Sequence, residues 1–139
     1  MSYYPSYNYT QTLKTYIKMD IKQTVKVTIK GTDCEVKIPN VSQSLKIEEL
    51  KMDLTGGKYP EMARSGLISH NYNLDLVDAI SIFSVLIPDL KKMLGVESYE
   101  LMDMFTGKEL VLAYRNQYSP FYKEFITALY EGLDTDESK

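Results

Sequence analysis

Residues 13–39 read LKTYIKMDIKQTVKVTIKGTDCEVKIP. From Leu13 to Ile29 every second position is Leu13, Thr15, Ile17, Met19, Ile21, Gln23, Val25, Val27 and Ile29. Between them stand Lys14, Tyr16, Lys18, Asp20, Lys22, Thr24, Lys26 and Thr28. A period of two with one apolar and one charged face is the pattern of a strand buried on one side. Strands in globular proteins run to about 10 residues, and this alternation covers 17. Lys30-Gly31-Thr32-Asp33 carries turn residues. Cys34, Val36 and Ile38 then alternate with Glu35 and Lys37 until Pro39 ends the return strand. A return strand that short pairs only with the region of Val25–Lys30. Either the long strand breaks near Asp20–Gln23, giving a small sheet, or Leu13–Lys22 projects as a ribbon that pairs with another chain. The lysines at 14, 18, 22, 26 and 30 share one face and discourage uncontrolled edge stacking.

Outward from the hairpin, residues 1–12 form an arm rich in tyrosine: Tyr3, Tyr4, Tyr7 and Tyr9, interrupted by Pro5. Tyrosine offers large contact area at low rotamer cost, which suits docking onto a neighbour. The other reading is a loose terminus. C-terminal to Pro39 the period changes to that of helices. Ser42 and Ser44 precede a predicted helix over Leu45–Leu54, stopped by Gly56-Gly57. A short helix over Pro60–Arg64 ends at Gly66. Residues 65–73 read as a polar link, with Asn73 capping a core helix over Leu74–Ile87 that has little polar face. Pro88 kinks it or begins a turn running to Leu94 and Gly95. A short helix over about Glu97–Met104 follows. The last helix starts at Thr106, with Glu109 completing a capping box. It runs to about Glu131 and is bent or split at Pro120. The expectation is one α+β domain over 13–133: a hairpin or small antiparallel sheet at 13–39, then four to five helices over 45–131. An acidic tail occupies 134–139.

The chain has 139 residues and a net charge of −3. Residues 1–58 hold nine lysines against six acids, and residues 59–139 hold seven basic against thirteen acidic residues. A basic half and an acidic half attract, within a subunit or head to tail; the simpler reading is two solvated faces. The first ten residues lack the basic and apolar regions of a signal peptide. The apolar stretch 74–87 contains Asp75 and Asp78 and falls short of a membrane span. A soluble protein of a reducing compartment is expected.

Chemistry-bearing residues are sparse. Cys34 is the one cysteine and His70 the one histidine, so neither a disulfide nor a zinc cluster is expected. Cys34 reads as a small buried apolar residue and His70 as a surface residue. Asp75 and Asp78 share a helix face; they read as charge compensation at a helix N-terminus, with holding a cation or pairing with Arg64 or Arg115 as alternatives. Leu54-Thr55-Gly56-Gly57-Lys58 lacks the spacing of a phosphate loop and closes a helix rather than opening one. The lysine face carries a single tyrosine, Tyr16, and the chain is acidic, so nucleic acid is not expected as a partner. No catalytic, metal-binding or cofactor-binding residues are assigned.

A tyrosine-rich arm, an over-long lysine-studded strand, a hairpin and an acidic helical remainder together resemble small virion or assembly proteins of tailed bacteriophages: tail-completion, connector or tail-assembly chaperone proteins. The resemblance is carried by KIPNVSQSLKIEELKMDLTGGKY (37–59) and NLDLVDAISIFSVLIPDLKKMLG (73–95). It lies in the arrangement of parts, not in a motif. It implies a non-enzymatic structural protein, found in the virion or the host cytoplasm. Such a protein binds copies of itself and other virion proteins through strand addition and terminal arms. The interface residues would be Tyr3, Tyr4, Tyr7, Tyr9, Ile17, Met19 and Ile21. The alternative is a small binding module or assembly chaperone that captures a protein partner through its helical region. Neither reading calls for a cofactor, a small-molecule substrate or a membrane.

Overall fold

Lys30 and Gly31 both have positive φ, 50° and 78°. A two-residue turn of that kind matches the twist of the strands it joins. The computed structural model describes residues 22–133, and in it this turn sets the hairpin register. β1 (Thr24–Ile29) pairs antiparallel with β2 (Thr32–Lys37), from Ile29↔Thr32 to Thr24↔Lys37. Thr32 and Asp33, expected in the turn, therefore belong to β2. The pairing runs one step further: the Ile38 N–H donates to the Gln23 carbonyl at 3.1 Å. β1 starts immediately after Gln23, the residue that breaks the apolar alternation. The segment 13–21 lies outside the described residues.

Val27, Ile29 and Val36 on the inner face are fully buried, while Lys26, Thr28, Glu35 and Lys37 are exposed. They pack on a helical region that begins earlier than expected. α1 spans Val41–Thr55, and its cap is Asn40, not a serine. The Asn40 side chain accepts from the Gln43 N–H (2.8 Å), and the Gln43 side chain accepts from the Asn40 N–H (2.9 Å). This reciprocal box satisfies two helix-end donors. Gly56 closes α1 in the left-handed conformation. α2 (Tyr59–Ser65) carries Pro60 in its first turn, where a missing N–H costs nothing.

The central element is α3, Ile68–Leu86. It takes in two thirds of the expected polar link, residues 68–73, so Asn73 is not its cap. Leu74, Ala79, Ile80, Ser81, Ile82 and Phe83 are buried. Ile87 turns extended (φ −123°, ψ 94°), as a residue before proline must to avoid the ring. α4 (Leu90–Leu94) ends at Gly95 as expected. The helix expected at 97–104 is only a 3-10 turn at Tyr99–Leu101. α5 spans Met104–Ala113. Its cap is Asp103, whose carboxylate accepts from the Thr106 N–H (2.9 Å) and hydroxyl (3.0 Å). Thr106 is thus the capped residue and not the cap. Those hydrogen bonds hold the Asp103 carboxyl below its usual range.

Pro120 neither stops the last helix nor splits it. It lacks the N–H that would bond residue 116, and its ring would crowd that carbonyl. The chain answers with a π-helical turn over Tyr114–Tyr118 and continues as α6, Ser119–Tyr130. Counting α5, the π turn and α6 as one rod, five helical rods follow the hairpin: an α+β fold. Tyr118 sits at the π turn, fully buried. Its ring meets Phe83 edge-on at 5.7 Å, Phe121 at 5.5 Å and stacks on Tyr122 at 5.6 Å.

Phe83→Ala should cost about 3–5 kcal/mol in urea unfolding, the usual loss for a buried ring. The Tyr118 hydroxyl is buried without a hydrogen-bond partner among the described residues. Tyr118→Phe should therefore leave stability unchanged or raise it by about 1 kcal/mol; a loss of that size would mean the hydroxyl is satisfied after all.

Candidate functional site

The turn geometry decides which backbone groups of the hairpin face outward. With Ile29↔Thr32 flanking a two-residue turn, Val27↔Cys34 and Val25↔Val36 exchange hydrogen bonds. The N–H and C=O groups of Thr24, Lys26 and Thr28 then point away on the β1 side, and those of Asp33, Glu35 and Lys37 on the β2 side. The two edges differ. β1 lies against α5 and the π turn, and Gln117 of that turn accepts from the Thr28 N–H at 2.8 Å. No strand, helix or side chain among the described residues bonds the outward backbone groups of β2. Asp33, Glu35 and Lys37 are all exposed. An exposed row of unpaired N–H and C=O groups is a template for another strand.

Side chains dress this edge. Asp33 accepts from the Thr28 hydroxyl (2.7 Å) and faces Lys26 Nζ at 3.7 Å. The Thr28 hydrogen bond, with help from Lys26, holds its carboxyl below the usual range. On the inner face Cys34 is half-buried, with Sγ 3.8 Å from Met93 Sδ on α4. Burial pushes its thiol up, and the charge of Asp33 adds to this, the opposite of an activated thiolate. The interface residues proposed from sequence, Tyr3, Tyr4, Tyr7, Tyr9, Ile17, Met19 and Ile21, lie outside the described residues.

A second polar constellation lies between helices. Asp78 on α3 accepts from the Tyr59 hydroxyl (2.7 Å) and the Tyr114 hydroxyl (3.4 Å), with Lys51 Nζ at 3.7 Å. Lys51 also sits over the Tyr59 ring. Four elements, α1, α2, α3 and the π turn, meet at one carboxylate. Burial raises the Asp78 carboxyl above the ordinary range, more than Lys51 and the two phenols lower it. Burial also raises the phenols of Tyr59 and Tyr114. Such groups hold helices together, and phenols this reluctant to ionise stay protonated as hydrogen-bond donors at neutral pH. Asp75 pairs with Arg115, which lies over the Tyr72 ring. Because α3 begins at Ile68, both aspartates stand in its middle turns. Compensation of a helix N-terminus is therefore the wrong reading for them, and the Arg115 alternative holds for Asp75.

His70 is in the first turn of α3 and not in a loop, half-buried, its Nδ1 2.7 Å from the Ser65 hydroxyl. Gly56 and Gly57 close α1, as their sequence context required. Among the described residues, no group of three or more His, Cys, Asp or Glu is placed to hold a metal ion, and no helix is long and apolar enough to cross a membrane. The Gln117 cap and the Tyr59–Asp78–Lys51 link escaped sequence reasoning: they join residues far apart in the chain without a local pattern. No protein-family model, curated protein or solved structure matches this chain.

Asp78 supplies a test with a defined sign. A carboxyl raised on folding binds its proton more tightly in the native state. Its contribution is fully present below about pH 4 and is lost as pH rises through the raised native value. Asp78→Asn should remove that decline, so its stability relative to wild type improves from about pH 4 to about pH 7 in urea titrations. Asp78→Ala takes the acceptor from two part-buried phenols while Lys51 keeps Glu48 at 3.0 Å, and should cost about 1–3 kcal/mol.

Proposed function

We propose that this chain is a non-enzymatic assembly protein of a tailed-phage particle that joins neighbouring subunits through its N-terminal arm and strand. The reading is carried by the open β2 edge beside a chain whose own residues 13–21 have the alternation of a strand. The resemblance to small phage assembly proteins supplies the setting, in the virion or the host cytoplasm, with copies of itself and other virion proteins as partners.

The mechanism is strand addition. The incoming segment makes main-chain hydrogen bonds to Asp33, Glu35 and Lys37, and alternate side chains fix its register. One antiparallel register sets Ile17 beside Val36 and Met19 beside Cys34 on the core side. On the solvent side it sets Lys18 opposite Glu35 and Tyr16 opposite Lys37. Asp20 then faces Asp33, whose charge Lys26 already offsets. Burying Ile17, Met19 and Ile21 fully contributes on the order of 1.5–3 kcal/mol each, less the cost of association.

The donor in this arrangement is a neighbouring copy. An antiparallel addition to β2 runs in the direction of β1, and a connection between same-direction strands takes about a dozen residues or more. Only Lys22 and Gln23 separate residue 21 from β1.

A second reading, capture of a different protein by the helical region, is favoured by the exposed Leu101, Met104 and Phe105 at the start of α5. Exposed methionine and aromatic residues suit adaptable binding.

Light scattering separates the two. Removing residues 1–22 should leave a folded domain by circular dichroism but abolish assembly under the first reading and change nothing under the second. Glu35→Pro acts on the receiving side. Its N–H faces outward, so the hairpin should survive, as prolines on sheet edges do, while assembly is lost. Oligomers of unchanged mass in both variants would refute strand addition.

A further inference from the structure

Between α1 and α6 runs a groove of about 460 Å³, lined by Pro39, Val41, Leu45, Tyr122, Phe125 and Leu129, with Glu48 and Tyr130 at its margin. Val41 and Leu45 are 78% and 67% exposed, and Leu129 and Tyr130 are more than half exposed. Large apolar side chains left this open, side by side and rimmed by polar groups, mark an interaction surface. The groove begins at Pro39, two residues beyond the end of β2.

Its occupant follows from the direction of strand addition. An antiparallel strand on β2 has its N-terminal end at the Lys37–Ile38 end of the edge. In the register that pairs Ile17 with Val36, residue 14 stands opposite Pro39. The arm of the donor copy therefore leaves the sheet at the mouth of this groove, whereas a parallel strand would deliver it to the Lys30–Gly31 turn. From residue 12 back to Tyr3 an extended arm spans at most about 30 Å. The α1 wall from Val41 to Glu48 is about 10 Å long; counted from residue 14, Tyr9 and Tyr7 can be carried at most about 18 and 25 Å, so an arm less than fully extended lays both along it. Tyrosine suits the lining: its ring packs on Pro39, Tyr122 and Phe125, and its hydroxyl reaches Asn40, Ser44 or Glu48 at the rim.

We infer that this groove is the receptor for Tyr7 and Tyr9 of a second copy of the chain, the copy whose strand pairs with β2. This rests on the strand-addition reading above. It makes the groove and the β2 edge one continuous acceptor site.

The test uses full-length protein with photo-reactive benzoylphenylalanine in place of Tyr7, mixing natural-abundance and 15N-labelled copies. Irradiation should cross-link position 7 of one copy to residues 41–48 or 122–130 of another. Leu45→Glu combined with Leu129→Glu, both at exposed sites, should leave the fold intact by circular dichroism. It should raise the dissociation constant of assembly about tenfold or more. Cross-links between copies at the Lys30–Gly31 end overturn this inference and leave strand addition standing. So do cross-links confined to one copy, or an unchanged dissociation constant in the double variant. Absence of assembly at any concentration overturns both.

Discussion

The hairpin stays in place because Tyr118 fixes the rod it leans on. Its ring is held between Phe83 of α3 and Phe121 and Tyr122 of α6. That contact stands at the π turn, which with α5 is the part of the rod that touches β1. An aromatic ring contributes both buried area and a preferred edge-on geometry, so α3, the rod and the hairpin take up defined positions around it. The hydroxyl it carries finds no partner among the described residues, a cost of about 1–3 kcal/mol that the surrounding ring contacts offset.

From that arrangement comes the asymmetry of the sheet. Pro120 forces the helix to widen over Tyr114–Tyr118, and the widened turn presents Gln117 to the Thr28 N–H. One side of the hairpin is thereby covered by helix and by a side-chain amide. The other side has nothing laid along it among the described residues. A two-stranded sheet is marginal alone; this one is stable because Val27, Ile29 and Val36 are buried on the helices. The helices thus support β2 from beneath and, among the described residues, leave its edge unpaired, which is what the proposed mode of assembly requires.

Much of this was legible in the residues. Alternation from Val25 to Ile29, the Lys30-Gly31 turn and the short return strand define the hairpin without tertiary information. Glycines at 56, 66 and 95 mark helix ends where they occur. Helix starts were harder. Asn40 and Asp103 are good caps, but serines at 42 and 44 and a threonine at 106 offered competing ones, and only packing decides between them. The stretch 68–73 looks polar because the first turns of α3 lie near the surface, not because they are unwound. The edge caps and the Asp78 cluster depend on contacts between residues far apart in sequence. Nothing local to Gln117 or Lys51 announces its partner.

The parity set by the turn has a consequence for self-recognition. Two copies could in principle join β2 to β2 about a two-fold axis, the simplest way for an open edge to be covered. Side chains on one face must then stand opposite each other. In the two registers of greatest overlap, either Glu35 meets Glu35 with each Asp33 opposite Lys37, or Asp33 meets Glu35 twice. Like charges placed directly across a sheet repel, so the second register is disfavoured, and in the first, two Asp33–Lys37 pairs offset the meeting of the two Glu35 side chains. A strand carrying lysines at every fourth residue meets no such penalty at Glu35. The charges on β2 thus set register rather than forbid pairing: they confine a two-fold contact to one alignment and offer Glu35 to a lysine of an incoming strand.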